Sequence, residues 1–355
     1  MKSCKNCLLP DKVPDADLDA DGYCRLCLEY TNELALDEES ERKKREKDLE
    51  DAILSSRNQG EYDCLVPLSG GKDSLYLMYK LKKKYGLNIL AFTTDVNIPA
   101  LAWKNITRTL QVMDIDHFSY APSPGFYKKL FNYLLQNQEE RGAVYTVSYV
   151  YAPLFEGDVI KVAIEKNIPL ILAGYSPGQP DPRRMFYEFS RKLICETDWT
   201  PPALKKSGHF SEKELSRFFN PEIYPKGTNF PRYLAPFHAW HYDQEQVMRT
   251  VAKAGLVNRT RHANPILTNY PINWLLMYSD IKHFGYNPYH PEFSALIRQG
   301  KASRNYWKIM TPIVNTMIRK KIFLGREVKR SLDWLKMKED DLRITCTHGA
   351  YDPSF

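Results

Sequence analysis

Two short patterns in this sequence combine residue types at spacings that can do chemistry. The first is "LSGGKDS" (68–74), where the apolar run "YDCLVP" stops and a helical pattern begins. Two glycines allow positive φ and close backbone approach, and the unpaired N–H groups of a helix start attract an anion. Ser69 and Ser74 add hydroxyl hydrogen bonds, Lys72 adds charge, and Asp73 suits a helix N-terminus and can help hold Mg²⁺. Such a loop cradles phosphate. It is neither the Walker pattern G-x-x-x-x-G-K-[ST] nor the G-x-G-x-x-G of dinucleotide dehydrogenases.

The second pattern is Cys4, Cys7, Cys24 and Cys27, spaced C-x2-C-x16-C-x2-C. Four thiolates at this spacing close a tetrahedron around a structural Zn²⁺, with an iron–sulfur cluster as the rival. In so small a segment zinc contributes roughly 10–16 kcal/mol to folding. The loop between the pairs, "DADLDADG", imitates the opening of a calcium-binding loop at Asp17, Asp19, Asp21 and Gly22. Its twelfth position is Leu28 where a bidentate Glu is required, so a polar turn is expected.

The elements that must position these residues follow from the pattern of apolar runs. From residue 61, candidate strands at 62–67, 88–94, 117–121, 169–173 and 232–237 alternate with helical patterns at 74–85, 100–113, 125–140, 151–167 and 243–254. That alternation predicts an α/β fold with a parallel sheet. The expected division is a cysteine knuckle (1–32), a charged linker helix (33–60), the α/β domain (61–255) and a helical C-terminal region (256–355). In the linker, Leu34, Leu36, Leu49, Ile53 and Leu54 suggest docking mainly by the second half.

The 355 residues are 43% hydrophobic and 26% charged, an ordinary soluble composition. No apolar run approaches the roughly 20 residues of a membrane span. The N-terminus has no apolar signal core, so a cytoplasmic protein is expected. The net charge of +7 gathers in "RKKREK", "KKK" and "IRKKIFLGREVKR". These clusters suit anionic ligands such as nucleotides, sugar nucleotides or RNA, or are solvated helix faces.

"LSGGKDS" after a first strand resembles the pyrophosphate loop (PP-loop) of the ATP pyrophosphatases, whose fold is Rossmann-like and adenine nucleotide alpha hydrolase-like. That superfamily includes NAD and GMP synthetases, tRNA thiolation enzymes and N-acetyl sugar amidotransferases. The order "CKNCLLPD…DADGYCRLC", charged helix, "VPLSGGKDSLYLMYKLKKKYGLNILAFTTD" and "LAPFHAWHYDQEQVMRTVAKAGL" is similar to the N-acetyl sugar amidotransferases of surface-polysaccharide and lipopolysaccharide biosynthesis. The resemblance covers about residues 1–255, and "FSALIRQGKASR" (293–304) is similar to a C-terminal segment of that family.

The resemblance implies a reaction. ATP is split into AMP and pyrophosphate, the amide oxygen of an N-acetyl group on a nucleotide-linked sugar is adenylated, and ammonia displaces AMP to leave an acetamidino group. ATP would lie on Ser69, Gly70, Gly71, Lys72, Asp73 and Ser74, with Lys72 stabilising the α-phosphate. Asp95 is a ribose contact or a turn residue, and Gly174 lets the backbone approach the nucleotide. Arg183 and Arg184 neutralise phosphate or are a solvated loop pair. The segment "RGAVYTVSYVYAP" (141–153) is the candidate acceptor-binding stretch, with Tyr149 stacking on a sugar or packing in the core.

The chain has no G-x-C-x-G glutaminase elbow, so a separate glutaminase subunit is expected, with a barrel-shaped synthase that channels ammonia. The alternative is sulfur transfer to tRNA or a small molecule. Outside the knuckle that chemistry has Cys64, Cys195 and Cys346; Cys64 reads as core, while Cys195 follows the fourth strand and could reach the site. His238 and His241 in "HAWH" read as packing or a substrate hydrogen bond.

Overall fold

A computed structural model describes residues 2–30, 32–177 and 187–352. The long charged segment forms α1 (Asn32–Ser56). It docks by its second half, where Leu49 and Ile53 are fully buried, while Leu36 and Leu54 face solvent. Arg42 anchors the first half by donating to the Ala239 carbonyl at 2.7 Å.

Five strands follow: β1 (Cys64–Pro67), β2 (Ile89–Thr94), β3 (Asp116–Tyr120), β4 (Leu170–Leu172) and β5 (Arg232–Leu234). All pair in parallel, in the order β3-β2-β1-β4-β5. The central strands are near-continuous apolar runs because both sheet faces are covered. Side chains alternate between the faces. Cys64 and Val66 join a core with α1 and with α2 (Lys72–Tyr85), while Leu65 points into a second core with Phe92 and Trp199.

The crossovers are α2, α3 (Ala100–Met113), α4 (Pro124–Gln136), α5 (Ala143–Glu165) and, after β5, α6 (Gln244–Lys253). The chain leaves β1 toward one sheet edge and returns through α4 and α5 to place β4 on the other side of β1. Strand order therefore reverses between β1 and β4, where open α/β sheets bind ligands beyond the strand ends.

The last hundred residues are mostly helical: α7 (Pro271–Phe284), α8 (His290–Arg298), α9 (Arg304–Lys320) and α10 (Arg326–Leu335). Of these, α7, α9 and α10 share one core with α4 and α5, in which Leu130 and Val150 join Leu275 and Leu332. A short parallel pairing of Gln138–Glu139 with Ile344–Cys346 ties the C-terminal segment to the end of α4. No helix among the described residues is long and apolar enough to cross a membrane.

Three helix boundaries differ from the sequence expectation for identifiable reasons. Helix α4 stops at Gln136 rather than 140, because Gln138–Glu139 pair with the C-terminal segment. Helix α2 begins at Lys72 rather than Ser74, with Gly71 as its extended N-cap. Helix α5 begins at Ala143, so most of "RGAVYTVSYVYAP" is helix, with Pro153 accommodated inside it. Its β-branched and aromatic residues are weak helix formers. The compensation is tertiary: the Asp280 carboxylate, from α7, accepts the N–H groups of Ala143 and of Val144 (3.0 Å) at the helix start.

Asp280→Ala leaves two buried N–H groups without a partner and should cost about 2–4 kcal/mol by urea unfolding. Burial pushes the Asp280 carboxyl up to about 7, against the pull of those two N–H groups. The folded protein thus holds this proton more tightly than the unfolded chain. The resulting stability is fully present below the unfolded value near pH ~4 and is lost as pH rises through about 7. Unfolding midpoints at pH 5 and pH 8 should differ more in the wild type than in Asp280→Asn.

Candidate active site

The loop after β1 sits at the reversal point and is held on three sides. Gly70 has φ +75°, and a Cβ there would lie 2.3 Å from the Ala102 carbonyl oxygen of α3. The buried Asn105, also on α3, donates to the carbonyls of Gly70 (3.1 Å) and His262 (3.0 Å). On the other side the exit of β4 closes in. A Cβ on Gly174 would stand 3.0 Å from the Ser74 nitrogen and 3.1 Å from its Cα. Gly71, by contrast, has an ordinary φ of −80°.

Within the loop the Ser69 and Ser74 hydroxyls lie 3.3 Å apart, and Ser74 Oγ donates to the Gly71 carbonyl at 3.0 Å. The N–H groups of the first turn of α2 have no intrahelical partner and converge on this concave backbone. Geometry and dipole both favour a phosphate group here.

Lys72 is buried, and its ammonium is fixed by Asp73 Oδ2 at 2.6 Å and the Tyr242 hydroxyl at 3.1 Å. Tyr242 in turn donates to Asp73 Oδ1 at 2.9 Å. Burial opposes the charge on Lys72, but the Asp73 carboxylate and the Tyr242 oxygen outweigh it and hold the ammonium above its usual range. Lys72 therefore stays cationic beside the phosphate loop. Each Asp73 oxygen keeps further acceptor capacity, so the carboxylate fits a divalent cation on a bound nucleotide.

Lys72 and Asp73 form one end of a cavity of about 260 Å³, whose remaining walls come largely from the C-terminal helices. Glu292 on α8 lines it, its carboxyl pushed up to about 7 by burial against the lowering effect of Lys72. His290 lines it too, driven down to about 4 by burial and hence neutral. Sequence reading missed Asn105, Tyr242, His290 and Glu292, because only tertiary folding brings them to the loop. The one signal available was the position of Glu292 beside the segment 293–304.

The remaining sequence candidates are dispersed. Asp95 lies at the end of β2, where its Oδ1 accepts the Ile98 N–H at 3.2 Å as a turn cap. Tyr149 is buried in the core of α5, stacked on Tyr145 with ring centroids 3.8 Å apart, and is not part of the cavity wall. Arg183 and Arg184 lie outside the described residues. His238 is half-buried and His241 exposed, and neither belongs to a group of metal-ligating atoms among the described residues. Cys64 is fully buried in β1, Cys195 packs against the core on one sheet face, and Cys346 sits in the C-terminal pairing.

The four knuckle thiols do converge, with all sulfurs within 4.8 Å of one another. Cys4 and Cys27 are 3.7 Å apart and Cys7 and Cys24 3.5 Å. A single tetrahedral ion with Zn–S bonds of 2.3 Å requires sulfurs about 3.8 Å apart. A cubane cluster puts each thiolate on a different iron and needs a wider cage. Burial raises the Cys4 thiol, but the backbone N–H groups of Cys7, Cys24 and Asn6 prevail and bring it down to about 7. The acidic loop is used locally: Asp15 and Asp17 pair with Arg25, and Asp19 caps the Tyr23 N–H.

No family model matches the chain. A probable sulfurtransferase from Methanocaldococcus jannaschii is 43% identical over 53 residues, spanning 14% of this chain and 16% of that protein. Among solved structures, the U34-tRNA thiolase NcsA from Methanococcus maripaludis, with its [4Fe-4S] cluster, aligns at TM-score 0.35 and 14% identity, covering 85% of this chain and 87% of that one. The NMN synthetase from Francisella tularensis aligns at 0.36 and 13%, covering 88% and 99%. The NH3-dependent NAD synthetase from Campylobacter jejuni aligns at 0.36 and 11%, covering 87% and 97%. Structural likenesses at these TM-scores do not bear on what the chain does.

Proposed function

We propose that the chain is an ATP-dependent amidotransferase of the ATP pyrophosphatase superfamily. In this reading an amide oxygen, on the N-acetyl group of a nucleotide-linked sugar, attacks the α-phosphorus of ATP and pyrophosphate leaves. Ammonia then adds to the activated carbon, and AMP departs with the oxygen to leave an acetamidino group. The observation that carries the reading is the Ser69–Ser74 loop at the reversal point of a parallel sheet, with a cationic Lys72 and Asp73 at its edge.

The residues have separable tasks. First-turn N–H groups and the two serine hydroxyls bind the β and γ phosphates, and Lys72 offsets charge developing on the α-phosphate. Asp73 orients Lys72 and would hold Mg²⁺, which would supply further charge neutralisation. No side-chain nucleophile is needed; positioning provides the advantage. The knuckle is assigned a structural Zn²⁺. Ammonia comes from a separate glutaminase subunit through a barrel-shaped synthase, and the protein works in the cytoplasm.

A second reading, sulfur transfer to tRNA or a small molecule, is favoured by the 53-residue match to a probable sulfurtransferase. The placement of the cysteines favours nitrogen, since neither Cys64, Cys195 nor Cys346 lines the cavity at Lys72 and Asp73. Purified protein with ATP, Mg²⁺ and ammonium should release AMP and pyrophosphate only when an acetamido sugar nucleotide is added. The sugar product should be one mass unit lighter. Release that needs sulfide and tRNA instead replaces nitrogen transfer with thiolation, and ADP with phosphate rejects both readings.

A further inference from the structure

The cavity beside Lys72 and Asp73 carries more unpaired polarity than a packing void. Trp307 is 3% exposed and His290 8%, and both line it. Neither Trp307 Nε1 nor His290 Nε2 has a hydrogen-bond partner among the described residues. A buried polar atom left unpaired costs about 1–3 kcal/mol, so two such atoms on one cavity wall call for a partner from outside the chain. Glu292 projects from the same helix as His290 and lines the same space. Its carboxyl is influenced by Lys72 and Asp73 through charge alone.

These groups define the chemistry of an occupant. The indole N–H needs an acceptor, while the Glu292 carboxylate and Nε2 of the neutral His290, whose other nitrogen donates to the Leu8 backbone, need a donor. Hydroxyl groups meet all three requirements, because each both donates and accepts. An anion in this cavity is disfavoured by the Glu292 and Asp73 carboxyls that line it. An apolar ligand would leave every one of the three groups unpaired. The stacked rings of Phe293 and Trp307, with centroids 3.5 Å apart, supply an apolar wall for the C–H face of a ring.

We infer that this cavity is a second subsite, built by the C-terminal helices, which holds a neutral hydroxyl-bearing sugar ring through Trp307, His290 and Glu292. The inference deepens the amidotransferase reading by locating its acceptor, and rests on that reading for what becomes of the sugar. With Lys72 and Asp73 at one end of the cavity, a substituent of the ring faces the phosphate loop.

Binding of UDP-N-acetylglucosamine and UDP-N-acetylgalactosamine, with UDP alone as control, would be measured by calorimetry on the full chain. The variants are Trp307→Phe, which keeps the ring and loses the N–H, and the near-isosteric Glu292→Gln. Melting curves verify that each is folded, and Glu292→Gln, facing the cavity, keeps the test alive if Trp307→Phe does not fold. A sugar-bearing probe should bind the wild type at least tenfold more tightly than UDP, and each variant should lose about tenfold of that affinity, or 1.4 kcal/mol.

Equal affinity in the folded variants, UDP binding as tightly as the sugars, or no binding of either sugar overturns the subsite. Trp307-dependent sugar binding with no AMP formed in ammonium leaves the subsite standing and removes the amidotransferase reading. Acetamido-dependent AMP with unchanged KM in both variants does the reverse.

Discussion

Gly70→Ala is expected to lower AMP and pyrophosphate release by about 10²–10³-fold while leaving the knuckle intact. Two independent costs meet at this position. The residue has φ +75°, a conformation that costs an L-residue about 1–2 kcal/mol. The new methyl would also lie 2.3 Å from the Ala102 carbonyl oxygen, a backbone atom on a packed helix that cannot swing aside. Relief requires the loop to move away from α3, breaking the Asn105 hydrogen bond to the Gly70 carbonyl and carrying Ser69 with it. A shift of about 1 Å in groups that position reacting atoms can cost on the order of 10²-fold in rate.

Gly71→Ala is the matched control for stability. Its φ of −80° suits alanine, and the added Cβ meets only the Ser69 hydroxyl at 3.5 Å. Its melting temperature should stay near wild type while that of Gly70→Ala falls by several degrees. Equal melting temperatures and equal turnover in Gly70→Ala and wild type would show that α3 does not brace the loop.

Removing a metal from the knuckle is expected to weaken acceptor use at least tenfold, although the cysteines lie in a different module from the Ser69–Ser74 loop. The connection is α8. Tyr286 and Ile297 pack against the knuckle core, and Arg304 donates to the carbonyls of Lys5 (2.7 Å) and Asn6 (3.0 Å). Arg298 approaches Cys7 Sγ at 3.9 Å. The N-terminal turn of the same helix carries His290 and Glu292, which line the cavity. For a segment of about thirty residues with so small a core, a structural zinc would supply roughly 10–16 kcal/mol of folding free energy.

Chelation, or Cys7→Ser, should therefore unfold the knuckle, loosen α8 and raise acceptor KM at least tenfold. The first turn of α2 has its own packing against α3 and β4, so ATP binding should change less. Elemental analysis should return one zinc per chain. Iron with acid-labile sulfide would rule out the single tetrahedral ion. Full acceptor affinity after metal loss would sever the knuckle from the cavity.

The two chemical motifs were legible in the sequence because each is local. "LSGGKDS" encodes a turn, a close approach and a helix start within seven residues, and the structure places them at the end of β1. The paired C-x2-C spacing likewise brings the sulfurs of each pair together with little help from elsewhere. The alternation of apolar strands and helices was enough for a parallel α/β sheet, since strands buried on both faces read as continuous apolar runs. Where local preference and tertiary contact disagreed, as at the start of α5, the sequence misled: an Asp280 more than a hundred residues away supplies the cap that the aromatic, β-branched segment lacks.

By itself, then, the sequence determined a glycine-rich turn at a helix start, a four-thiol cage and the class of sheet that carries the turn, all set by interactions between near neighbours. Only the tertiary structure decided which glycine is sterically obligatory, that Tyr242 and Asp73 pin Lys72, and that α8 joins the knuckle to the cavity. Those facts depend on residues far apart in the chain meeting at one point. Their spacing along the sequence carries no periodic or motif signal, because the contacts are made by packing after each element has formed.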